Sequence, residues 1–80
     1  MLIQQWREVF MMPLIMAQTG VVQSIKRING KDDTKRFLEN LGFVVGSEVT
    51  VISQMEGDVI VKIKEARVAI SKSMASRIMV

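Results

Sequence analysis

The stretch Asp32-Asp33-Thr34-Lys35-Arg36-Phe37-Leu38-Glu39-Asn40-Leu41-Gly42-Phe43-Val44-Val45-Gly46-Ser47-Glu48-Val49-Thr50-Val51-Ile52 decides the fold. Phe37, Leu38 and Leu41 carry the apolar spacing of a short helix from about Asp33 to Leu41. An Asp or Thr at its start can accept hydrogen bonds from the first exposed backbone N–H groups. Gly42 follows the last periodic leucine, where the lack of a Cβ permits the left-handed conformation that ends many helices. After the turn Val45-Gly46-Ser47 the period becomes alternating, with Val49 and Val51 on one side and Thr50 and Ile52 on the other. That is the pattern of a strand.

Working outward from this helix-to-strand unit, Glu48 to Met55 is the second strand, Met55-Glu56-Gly57-Asp58 a hairpin turn, and Val59 to Lys64 the third. Val59, Val61 and Ile63 point inward by the two-residue repeat. Glu65-Ala66 makes a tight connection into a fourth strand, Arg67 to Ser71, with Val68 and Ile70 on one side. Ser73 to Ser76 suits one helical turn and Arg77 to Val80 a short last strand. Upstream, Gly20 to Ile28 alternates imperfectly, as a strongly bent barrel strand does. Asn29-Gly30-Lys31-Asp32 is a turn, and Pro13 to Thr19 is expected to be extended, with Leu14 and Met16 in the core. The fold class is all-β: a small SH3-like barrel of about five strands, with one short helix after the first strand. Closing such a sheet removes exposed edges in a chain too small to cover them otherwise.

Residues 1–12 form a separate amphipathic extension, with Leu2, Trp6, Val9 and Phe10 at helical spacing before Pro13. A helix this short is marginal alone in water. It is read as a lid over the barrel end, as a self-association or partner-binding element, or as a disordered extension, with Met11 and Met12 as alternative starts. Residues 13–80 are the barrel domain.

At 80 residues the chain is one domain close to the lower size limit for a single core. It has no Cys and no His, which leaves no disulfide, no thiolate chemistry and no imidazole for acid–base catalysis or zinc. The net charge of +3 comes from lysines and arginines interleaved with acids, a mildly basic solvated surface. No apolar run approaches the roughly 18–20 residues of a membrane span, and no secretory signal opens the chain, so a cytoplasmic protein is expected.

Leu38-x-x-Leu41-Gly42-Phe43-x-x-Gly46-x-x-Val49-x-Val51 resembles the signature of the ferrous iron transport protein A (FeoA) family. Pro13-Leu14-x-Met16-Ala17-x-x-Gly20, the strand Val22 to Ile28 and Ala66-Arg67-Val68-Ala69-Ile70-Ser71 match further family segments in the same order, so the resemblance covers Pro13 to Val80. It implies the SH3-like fold and a small cytoplasmic adaptor. The implied partner is the cytosolic GTPase part of the membrane transporter FeoB, with no tightly held metal or cofactor. The extension with Trp6 departs from the family pattern.

The residues offer little chemistry beyond binding. Asp32-Asp33 caps a helix, Glu56 and Asp58 flank a solvated hairpin, and Ser47, Ser53, Ser71, Ser73 and Ser76 have no histidine to activate them. Gly42-x-x-x-Gly46 lacks the Gly-Lys-Ser/Thr of a phosphate loop. Nucleic-acid binding would need aromatics interleaved with basic residues, whereas Phe37 and Phe43 sit at positions the core requires and there is no Tyr. Seven methionines fill core gaps or an adaptable binding surface. The candidate partner-binding residues are Met16, Leu38, Leu41, Gly42, Phe43 and Met55, forming an apolar groove beside the helix. The competing reading is a general SH3-like interaction or self-association module; a metal-dependent regulator would also need a DNA-binding domain and metal ligands.

Overall fold

The computed structural model describes residues 11–30 and 32–80. The helix expected over residues 1–12 therefore lies, but for its last two residues, outside the described residues. Two sheets wrap one core. Strands β1 (Val22–Ser24), β3 (Glu48–Gln54), β4 (Asp58–Ile63) and β5 (Ala66–Ser71) form the larger, in the order β1-β3-β4-β5. Strands β2 (Arg27–Ile28) and β6 (Ile78–Met79) form the smaller. Every pairing is antiparallel. Helix α1 (Asp33–Asn40) joins β2 to β3, and the one-turn α2 (Lys72–Ala75) joins β5 to β6.

The first long strand is broken where the barrel turns its corner. Ser24 still pairs with Glu48 of β3, but the Lys26 N–H already donates to the Met79 carbonyl at 2.8 Å. Ile25 between them is tied to the Gly46-Ser47 turn by hydrogen bonds of 2.8 and 2.9 Å. One strand thus serves both sheets. Its buried residues, Ile25 and Ile28, are three positions apart, which explains the imperfect alternation.

In β3 and β4 the alternation holds, with Val49, Val51, Val59, Val61 and Ile63 all buried. The register shifts between Val51 and Ser53. This bulge turns Gln54 toward the chain's beginning, where its amide donates to the Ile15 carbonyl at 2.9 Å. Pro13 to Thr19 departs from its expected extended form. Leu14–Met16 is a 3₁₀ turn that buries Leu14, leaves Met16 70% exposed and buries Ala17 one turn later. Three residues per turn admit only every third side chain to the core.

Candidate partner interface

The Asp32 carboxylate caps α1 by accepting the Thr34 N–H at 3.1 Å. At the other end the Gly42 N–H donates to Glu39 O and the Phe43 N–H to Leu38 O, each at 3.0 Å, with Gly42 at φ +108°. This pair of bonds is a Schellman motif, in which the residue after the glycine folds back over the last turn. It carries Phe43 into the core beside Leu38, and both are fully buried. Leu38 and Phe43 therefore hold the helix to the barrel and cannot touch a partner, a correction to their place among the candidate contact residues.

Phe37 takes the opposite course. It lies about 100° around the helix from Leu38, and 49% of it is exposed rather than in the core. Leu41, one turn on, is half-buried. Phe37 and Leu41 thus form an apolar flank at the end of α1. The sequence signal for it was present, since Phe37–Leu41 has four-residue spacing. Nothing local, however, decided whether Phe37 or Leu38 faced inward.

The remaining candidates fall at two ends of the barrel. Met16 and Met55, both mostly exposed, lie at one end, where the Gln54 amide meets Ile15 and the Met55 N–H donates to Asp58 O at 2.8 Å. Leu41 and Gly42 lie at the other. A Cβ built on Gly42 would sit 3.6 Å from Ile63 and 3.7 Å from the Lys64 stem. The span of β4 from Asp58 to Ile63, roughly 17 Å at the rise of a strand, separates the two groups. They make two patches, not one groove.

The charged surface has its own relief. A groove of about 390 Å³ on the outer face of the larger sheet is lined by Val22, Ser47, Glu48, Thr50, Lys62 and Lys64. A second, of about 320 Å³, lies between β2 and α1, with Lys26, Arg27, Lys35, Glu39 and Val45 on its walls. Arg77 and Asp32 form an ion pair at 3.1 Å. The side-chain hydrogen bond from Arg77 is the main reason the Asp32 carboxyl lies below its ordinary value, desolvation opposing it and the Arg77 charge and the Thr34 and Lys35 N–H groups assisting. Among the described residues, no three His, Cys, Asp or Glu side chains converge as a metal site would require. No helix among them is long and apolar enough to cross a membrane. The described surface thus carries two apolar patches and two grooves bordered by basic residues.

The model of the FeoA domain matches residues 12–80. A Methanocaldococcus jannaschii protein that carries the name Fe(2+) transport protein A is 33% identical over 70 residues, covering 88% of this chain and 85% of that protein. The crystal structure of an iron uptake regulatory protein (FeoA) superposes with a TM-score of 0.79 at 27% identity, over 88% of this chain and 93% of the other. The solution structure of iron(II) transport protein A from Clostridium thermocellum gives 0.78 at 26% identity, over 84% of this chain and 43% of that one. A manganese-dependent transcriptional repressor shares the fold, with a TM-score of 0.81 at 23% identity over 89% of this chain and 41% of its own. The helix-to-strand unit, the barrel it closes and the match over residues 12–80 make this chain a member of the FeoA family, small barrel proteins linked to Fe(2+) transport.

Proposed function

We propose that this protein is a non-catalytic cytoplasmic adaptor that supports ferrous iron uptake by binding the cytosolic GTPase part of a FeoB-type membrane transporter. Iron is the transporter's cargo and not a resident of this chain. Family membership supports the setting, and the half-exposed Phe37 beside Leu41 carries the reading. An aromatic left in water on a helix clamped at both ends is a rigid anchor of the kind that dominates protein interfaces. Gly42 makes room for the Lys64 stem, which borders this flank. Met16 and Met55 offer a second, more adaptable apolar patch at the far end.

The test is amide chemical-shift mapping of this protein with the purified transporter GTPase domain. Shifts concentrated at Phe37, Leu41 and Gly42, abolished by Phe37→Glu with the fold intact, support the adaptor. Concentration-dependent shifts without the GTPase domain would favour the self-association module instead. Shifts confined to Met16 and Met55 would keep the adaptor and move its contact to the other end.

A further inference from the structure

The outer face of the larger sheet carries a cross-strand row, Val22, Thr50, Lys62 and Arg67, running over all four strands. Lys62 and Arg67 stand directly opposite each other, both exposed. Like charges in that register repel and weaken the pairing. Among the described residues, the ion pair of Arg77 with Asp32 is the only one, so neither cation of the row has an acidic partner among them. A third cation, Lys64, lines the same groove. Its backbone stands at φ +55°, the single non-glycine left-handed residue among those described, and its stem lies against Gly42. Lys62 and Lys64 therefore line one groove, with Arg67 beside it across the strand pair and Glu48 as the one acidic residue on its described walls.

We infer that this groove receives an acidic segment of the partner protein, with an apolar residue that reaches Phe37 and Leu41. This rests on the adaptor reading above. Charge decides the occupant: Lys62 and Lys64 both line the groove, against Glu48 as the single acid on its described walls, so the complementary segment is acidic. Arg67 lies one strand spacing to the side, so a carboxylate opposite Lys62 meets two cations. Exposed Val22 and half-buried Thr50 supply a floor for the peptide backbone. Lys64 joins this groove to the Leu41-Gly42 turn, so acidic and apolar contacts form one continuous surface. Glu48 disfavours a dense polyanion such as nucleic acid, and among the described residues the groove has no aromatic side chain on which a base could stack.

The test measures the affinity of the transporter GTPase domain for the wild type and for Lys62→Glu, Lys62→Glu with Arg67→Glu, and Lys26→Glu with Lys35→Glu, each at low and high salt. Lys62→Glu places a carboxylate opposite Arg67, so its thermal midpoint should hold or rise while affinity falls at least tenfold and loses much of its salt dependence. That opposition of signs separates a binding role from a structural one. Wild-type affinity in both Lys62 variants would overturn the inference and leave the adaptor standing. An equal loss in the Lys26 and Lys35 variant would also overturn it, because net charge alone would then explain the effect. If the wild type does not bind at all, the adaptor reading falls and this inference with it.

Discussion

Arg77 Nη1 lies 3.1 and 3.3 Å from the two carboxylate oxygens of Asp32, linking the residue before the last strand to the cap of α1 across 45 positions of sequence. The same Asp32 oxygen that accepts from Arg77 also accepts from the Thr34 N–H. One carboxylate thus fastens the helix start and the chain's closing turn.

This clasp should appear in the acid limb of stability. The Asp32 carboxyl titrates below its ordinary 3.8 in the folded protein. Its contribution is therefore present above the unfolded value and lost as pH falls through the folded one. Asp32→Asn keeps a good capping residue and removes the charge. Its thermal midpoint should lie below the wild type's at pH 7, and the two should converge well below pH 3.8. High salt should shrink the difference at neutral pH, because the pair is largely exposed.

Gly30 tests the clasp from beneath. A Cβ there would stand 2.7 Å from Arg77 Nη1, and the backbone is at φ +105°. Gly30→Ala should lower stability by about 1–2 kcal/mol from the left-handed backbone alone. It should also displace the guanidinium. In that background Asp32→Asn should cost less than in the wild type, a non-additivity that a double-mutant cycle in urea reads directly.

The two left-handed residues that meet at the helix end should respond in opposite directions. Gly42→Ala has room for its methyl but not the backbone conformation. It should lose about 1–2 kcal/mol. Lys64→Gly removes the same strain from the other side of the contact and should be neutral or stabilise by up to about 1 kcal/mol. Equilibrium urea unfolding of both variants decides the point.

Adjacent residues of α1 should separate stability from binding. Leu38→Ala empties a fully buried site and should cost about 2–5 kcal/mol. Phe37→Ala should cost under about 1 kcal/mol, because half of its side chain is already in water. In the adaptor reading it is Phe37→Ala that weakens binding of the GTPase domain, measured by calorimetry on a variant that melts near the wild-type temperature.

The helix-to-strand unit was legible because local rules there agree. An Asp cap, a glycine after Leu41 and a change of period at Gly46 each favour the same structure, and α1, β3 and β4 lie within one or two residues of their expected bounds. The corner at Ile25 and the 3₁₀ turn at Leu14 were not legible as such. Both depend on hydrogen bonds to partners more than twenty residues away, Met79 for the corner and Gln54 for the turn.

By itself, then, the sequence determined the order of elements, the inward set Val49, Val51, Val59, Val61 and Ile63, and the family, because periodicity, caps and glycines act over a few neighbouring residues. Only the tertiary structure decided which of Phe37 and Leu38 meets water, and that Met55 and Gly42 stand at opposite ends of β4. It alone set Lys62 opposite Arg67. Those outcomes follow from sheet register and from the side on which the helix meets the barrel, and both are fixed by contacts between distant parts of the chain.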